Sequence, residues 1–128
     1  MSKLRYLLIL DFEATCCNDG SIATEEIEII EFPTLLYSIE KACLVEKLPG
    51  PHSCPAKFHE YVRPALHPKL THFCTELTGI QQPTIEKADL FPAVWARHLE
   101  WLRKLGVFEN PNSYVYLTWE LGHEDSLA

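Results

Sequence analysis

Leu4 to Leu10 form a near-continuous apolar run that stops at a carboxylate, Asp11. Only a strand buried on both faces asks for such a run, so the chain must place layers of structure on either side of it. Functional groups collect at the end of a central strand of this kind, where Asp11 and Glu13 stand. The run, behind a basic start, superficially looks like a secretory leader. It is too short for one, and no other run approaches the roughly 20 apolar residues of a membrane span. The expectation is a soluble, intracellular chain, cytoplasmic or nuclear, without membrane association.

The rest of the chain supplies the layers. Cys16 to Glu25 is polar, with Asn18-Asp19-Gly20 as a turn, and reads as a surface loop. Glu26 to Ile39 alternates loosely and predicts a second strand, with Pro33 marking a bulge or a free edge. Lys41 to Glu46 predicts a third strand and Lys57 to Val62 a fourth, separated by a loop with prolines at positions 49, 51 and 55. Leu70, Phe73, Cys74 and Leu77 have the spacing of a short amphipathic helix, with Gly79 as its stop and Pro83 opening a further turn. Phe91 to Leu105 is the longest periodic segment, with Phe91, Val94, Trp95, His98, Leu99, Leu102 and Leu105 on one stripe. Trp95 and His98 are expected to pack there. Tyr114 to Thr118 predicts one more strand. Strands, then helices, then a strand point to an α+β or α/β layer with a largely antiparallel first half.

At 128 residues, 47% hydrophobic and 23% charged, the chain fits one compact domain. Its net charge of -7 excludes a polyanion held by bulk electrostatics. A nucleic acid must then be met locally, or through a bound cation. Five cysteines without CxxC spacing indicate reduced, mostly buried thiols rather than a disulfide framework. A zinc site from His52, Cys54 and His59 is a competing reading, although ligand pairs of recognised spacing are absent.

Asp11 and Glu13 lie two apart, so their side chains leave one face of the strand while Phe12 takes the other. Two hard carboxylates so placed suit Mg²⁺ or Mn²⁺, which keeps several waters and completes its shell with substrate phosphate.

The segment Leu7-Leu8-Ile9-Leu10-Asp11-Phe12-Glu13-Ala14-Thr15-Cys16 resembles the first motif of the enhanced-RNAi (Eri-type) 3′-5′ exoribonucleases, a branch of the DEDDh exonucleases. The resemblance continues through Glu28 to Pro33, Phe58 to Pro64, Leu70 to Ile80, Ala88 to Pro92 and Leu99 to Leu102, in the family's order. It implies an α/β, RNase H-like fold with a mixed five-stranded sheet flanked by helices. It also implies two Mg²⁺ or Mn²⁺ ions in an intact site, with Asp11 and Glu13 as metal-binding, catalytic carboxylates. Ala14 and Thr15 would contact the terminal nucleotide, and Phe73, Leu77 and Thr78 would line its pocket. The implied substrates are RNA 3′ ends, single-stranded or with a short overhang, and the implied partners are RNA-processing proteins.

Departures begin after Thr118. Where the family has a Trp-Asp that supplies a third acid, this sequence has Trp119-Glu120-Leu121, which makes Glu120 the candidate replacement. The family's last helix carries His and, five residues later, Asp; here His123 and Asp125 have another spacing. Residues 1–128 are therefore expected to form a single partial exonuclease domain, its C-terminal part missing and apolar sheet surface left exposed. Two functions follow as expectations: a metal-dependent exoribonuclease, or a catalytically inactive fragment that serves as an RNA- or protein-binding module.

Overall fold

The computed structural model describes residues 3–46, 56–110 and 113–118. The apolar run becomes strand β1 (Tyr6–Leu10), flanked on both sides as its composition demands. The long strand β3 (Ile29–Ser38) lies antiparallel to it and β6 (Tyr114–Thr118) parallel, so the sheet is mixed. A two-residue strand, β2 (Glu13–Ala14), continues the line of β1 along β3. The far edge of β3 takes β4 (Cys43–Leu44) and β5 (Lys57–Tyr61), both antiparallel. Among the described residues the sheet has six strands, two of them, β2 and β4, only two residues long. The strand expected over residues 41–46 contracts to β4; Ala42 just before it has a φ of 52°, which no extended residue adopts.

Three helices follow: α1 (His72–Thr78), α2 (Gln82–Glu86) and α3 (Phe91–Leu105). Gly79 and Gly106 end α1 and α3 at φ of 78° and 79°, in the left-handed region that a Cβ disfavours. Pro83 sits in the first turn of α2, where its missing N–H costs nothing. Arg103 and Lys104 occupy the last turn of α3, the negative end of its dipole.

One face of α3 packs on the sheet. Val94, His98, Trp101 and Leu102 are buried against Leu8, Leu10, Phe32, Leu36 and Phe58. The even-numbered residues of β3, Ile30 through Ser38, all face inward, the period of two expected of a strand. Trp95 corrects the sequence reading: it is 39% exposed, and Trp101 is the tryptophan in the core. Positions 94, 98, 101 and 102 are the buried line of α3, and Trp95 covers the edge of that line, its ring against Phe32 and His98.

His98 packs in the core, and is fully buried where the stripe suggested a partly buried place. Its Nε2 shares a hydrogen bond with the Thr34 hydroxyl at 3.1 Å, and its Nδ1 has no partner among the described residues. A smaller cluster of Ile30, Cys74, Ile80 and Ile85 joins α1 and α2 to the sheet. Val115 and Leu117 of β6 are exposed. Among the described residues no helix is long and apolar enough to cross a membrane.

Candidate active site

The carboxylates sit where the β1–β3 ladder opens. Ile39 N–H donates to the Arg5 carbonyl at 2.9 Å, and alternation along β3 turns the nitrogens of Tyr37, Leu35 and Pro33 toward β1 as well. The register Leu10↔Thr34 and Glu13↔Glu31 brackets the gap, so Pro33 stands opposite Asp11. Proline has no N–H to give, and the ladder breaks at Asp11 and Phe12 before resuming at Glu13. The register then shifts between Glu13 and Ala14, which pairs with Ile29. The irregularity read from Pro33 thus lies beside the acids, where bulges commonly re-aim functional side chains.

Phe12 turns toward α3 and meets Phe32 edge-on, with ring centroids 4.8 Å apart. Alternation therefore sends Asp11 and Glu13 from the opposite face. Asp11 is exposed and Glu13 half-buried. Glu31 shares that face with Glu13, being its direct cross-strand partner. One Glu31 oxygen pairs with His59 Nε2 at 2.5 Å, and the His59 ring packs edge-on against Tyr61. The three histidines without a partner visible in sequence all have a carboxylate beside them: His59 has Glu31, His67 has Glu26 at 3.3 Å, and His72 has Glu76 at 2.9 Å.

Helix α1 is fastened to the segment that follows these acids. The Thr71 hydroxyl caps α1 by accepting from Cys74 N–H at 3.0 Å, and it donates to the Cys16 carbonyl at 2.6 Å. Cys74 Sγ lies 3.6 Å from the Ala14 carbonyl. The helix that carries Phe73, Leu77 and Thr78 is therefore held against Ala14–Cys16. Thr71→Ala removes both bonds and is expected to lower stability by about 1 kcal/mol, read as a reduced urea midpoint with an unchanged slope.

The candidate nucleotide contacts divide into two groups. Leu77 is 66% exposed and Phe73 half-buried, four residues apart on one side of α1, while Cys74 faces the core. This is an apolar surface open to a ligand. Ala14 and Thr15 are buried, and the Thr15 hydroxyl accepts Glu28 N–H at 3.0 Å. The Thr78 hydroxyl donates to Cys74 O at 2.8 Å and accepts Ile80 N–H at 3.1 Å. Both threonine hydroxyls are thus engaged in the fold itself. Burial, with Cys74 alongside, pushes the Cys16 thiol up to about 12, so it stays protonated. Of the described cysteines only Cys74 is fully buried, and Cys43 is exposed, so the thiols are less hidden than their number suggested.

Asp11 and Glu13 fit a hard divalent cation that takes one or two carboxylates and completes its shell with water and phosphate. Among the described residues no group of three or more His, Cys, Asp or Glu side chains converges to hold a metal. Glu120, His123 and Asp125 lie outside the described residues, as do Cys54 and His52 of the zinc reading.

The sequence profile of an exonuclease family matches residues 8–119. The chain belongs to this exonuclease family. It is 43% identical over 101 residues to the 3′-5′ exonuclease eri1 of Schizosaccharomyces pombe, covering 79% of this chain and 30% of that protein. The nuclease domain of 3′hExo, a DEDDh family member crystallised with rAMP, superposes with a TM-score of 0.74 at 34% identity. That match covers 94% of this chain and 56% of the other. A structure of a 3′-exonuclease that recognises the histone mRNA stem-loop at its 3′ end gives a TM-score of 0.73 at 35% identity, over 92% of this chain and 47% of that one. The chain therefore has the α/β, RNase H-like exonuclease fold, and it spans about half the length of these structures and under a third of the yeast relative.

Proposed function

We propose that this chain is a divalent-metal-dependent 3′-to-5′ exonuclease acting on RNA, hydrolysing the terminal phosphodiester and releasing nucleoside monophosphates. The observation that carries this reading is the pair of carboxylates, Asp11 and Glu13, on one face at the opened end of a central strand, in a chain of the exonuclease family. The relatives matched are 3′-5′ exonucleases, and RNA is the ligand of one of the matched structures.

Asp11 and Glu13 would hold Mg²⁺ or Mn²⁺, which lowers the pKa of a bound water and neutralises phosphate charge; an intact site of this kind uses two ions. A protein of net charge -7 meets a polyanion by this route rather than through its own surface potential. Phe73 and Leu77 offer the apolar wall against which a terminal base stacks. Ala14, small and buried beneath α1, leaves room for that base, while Thr15 and Thr78 shape the pocket through the hydrogen bonds that fix them. Glu120 is the proposed third acid.

The test is degradation of a 5′-labelled single-stranded RNA by the purified chain in Mg²⁺. A ladder shortening from the 3′ end, erased by a chelator, is the expected result. RNA binding without a ladder, from a folded sample, would instead establish the non-catalytic binding module.

A further inference from the structure

Glu13 and Glu31 are direct partners across β2 and β3, on one face. Side chains so placed have Cβ atoms roughly 5 Å apart, and like charges directly opposite destabilise a sheet. Asp11, two residues before Glu13, is the diagonal neighbour of Glu31 on the same face. Three acids on one small patch of a folded protein need compensation. His59 supplies part of it: it stands on β5 opposite Pro33, diagonal to Glu31, and reaches back to bond the Glu31 carboxylate at 2.5 Å. Tyr61, opposite Glu31 on β5, steadies the imidazole with a ring contact at 5.1 Å. Glu13, Glu31, His59 and Tyr61 lie on paired strands, so their arrangement is fixed by register, and Asp11 stands in the gap between β1 and β2.

From this geometry we infer that Glu31, tethered by His59, is a positioning residue for the cation site of Asp11 and Glu13, acting on the water shell of the ion. The inference rests on the reading of Asp11 and Glu13 as cation ligands. Glu31 does not converge with them as a direct ligand, because no three-residue metal group forms among the described residues. A divalent ion of the magnesium type keeps several waters, and a carboxylate one position beyond its direct ligands accepts hydrogen bonds from them. The tether restrains Glu31: one oxygen, Oε2, is taken by His59, and Oε1 is the atom that would accept from the ion's waters.

The experiment is a titration of the purified chain with Mn²⁺ alone, read by loss of the free-ion electron paramagnetic resonance signal. Wild type is compared with Asp11→Asn, Glu31→Gln, His59→Leu and His59→Gln, each checked for folding by circular dichroism. Wild type is expected to bind and Asp11→Asn not to. Glu31→Gln and His59→Leu should each weaken binding about tenfold, while His59→Gln, which keeps an N–H for Glu31, should stay within roughly threefold of wild type. A purely structural role for His59 would not be rescued by glutamine in metal affinity. Folded Glu31→Gln and His59→Leu proteins that bind Mn²⁺ as wild type does would overturn the inference and leave Asp11 and Glu13 standing. Failure of wild type itself to bind would overturn the reading of those two carboxylates, and the positioning role with it.

Discussion

Asp11→Asn is expected to slow Mg²⁺-dependent shortening of RNA at least about a hundredfold, with no loss of thermal stability. The size follows from what the residue would do. A metal at the scissile phosphate stabilises transition-state charge by several kcal/mol, and each 1.36 kcal/mol is about tenfold in rate. Asparagine keeps the shape of the side chain and one carbonyl-type oxygen but loses the charge that holds the ion. The stability half of the prediction follows from position. Asp11 is exposed, stands at a gap in the ladder, and shares its face with Glu13 and Glu31, so removing its charge relieves repulsion in the metal-free protein. Single-turnover rates and a thermal melt on the same preparations check both halves. A variant that melts at or above the wild-type temperature yet no longer trims RNA separates function from folding at this position. Equal rates for the two proteins would remove Asp11 from the site.

Local signals carried much of this architecture. Helix α3 occupies Phe91–Leu105 and β6 Tyr114–Thr118, the ranges their patterns indicate, because Pro92 and Gly106 punctuate one and strict apolar runs define the other. Pro33 signalled an irregularity through a purely local property, its missing donor, and the ladder opens opposite it. What remained hidden depends on pairing across long separations. Trp95 and Trp101 lie on neighbouring lines of one helix, and only the place where α3 crosses the sheet decides which is buried. His59 and Glu31 are 28 residues apart and meet only once β5 has registered against β3. Thr15 reads as a ligand contact from its place in a motif, and the bond its hydroxyl accepts from Glu28 N–H, 13 residues on, is visible only in the fold. The signal that could have found Glu31 was an acid at a regular position in an otherwise apolar strand, flanked by Ile30 and Phe32. The register places that charge directly across from Glu13.

Acid is expected to destabilise the protein through His98 before it affects most carboxylates. Burial alone pushes this imidazole down from its ordinary 6.5 to about 4. Its surroundings explain the direction: the rings of Phe32, Phe58, Trp95, Trp101 and Tyr116 pack around it, Thr34 meets Nε2, and among the described residues no acid pairs with it to hold a proton. The folded form keeps the ring neutral, whereas the unfolded chain takes up a proton as pH falls below about 6.5. Between about 6.5 and about 4 the unfolded state therefore binds more protons, and stability drops with falling pH by about 3 kcal/mol in all. Above 6.5 the contribution is fully present, and below about 4 it is gone. Urea unfolding across this range, wild type beside His98→Gln, isolates the effect, since the amide can still bond Thr34 but does not titrate. The difference between the two stabilities should shift by about 3 kcal/mol across the window, because carboxylates common to both proteins cancel. Parallel curves would mean that the folded chain admits a charged His98, through water or an opening of α3. In that case the orphaned Nδ1 would mark a place where the core opens to solvent, and the packing of α3 on β3 would be looser than its aromatic contacts imply.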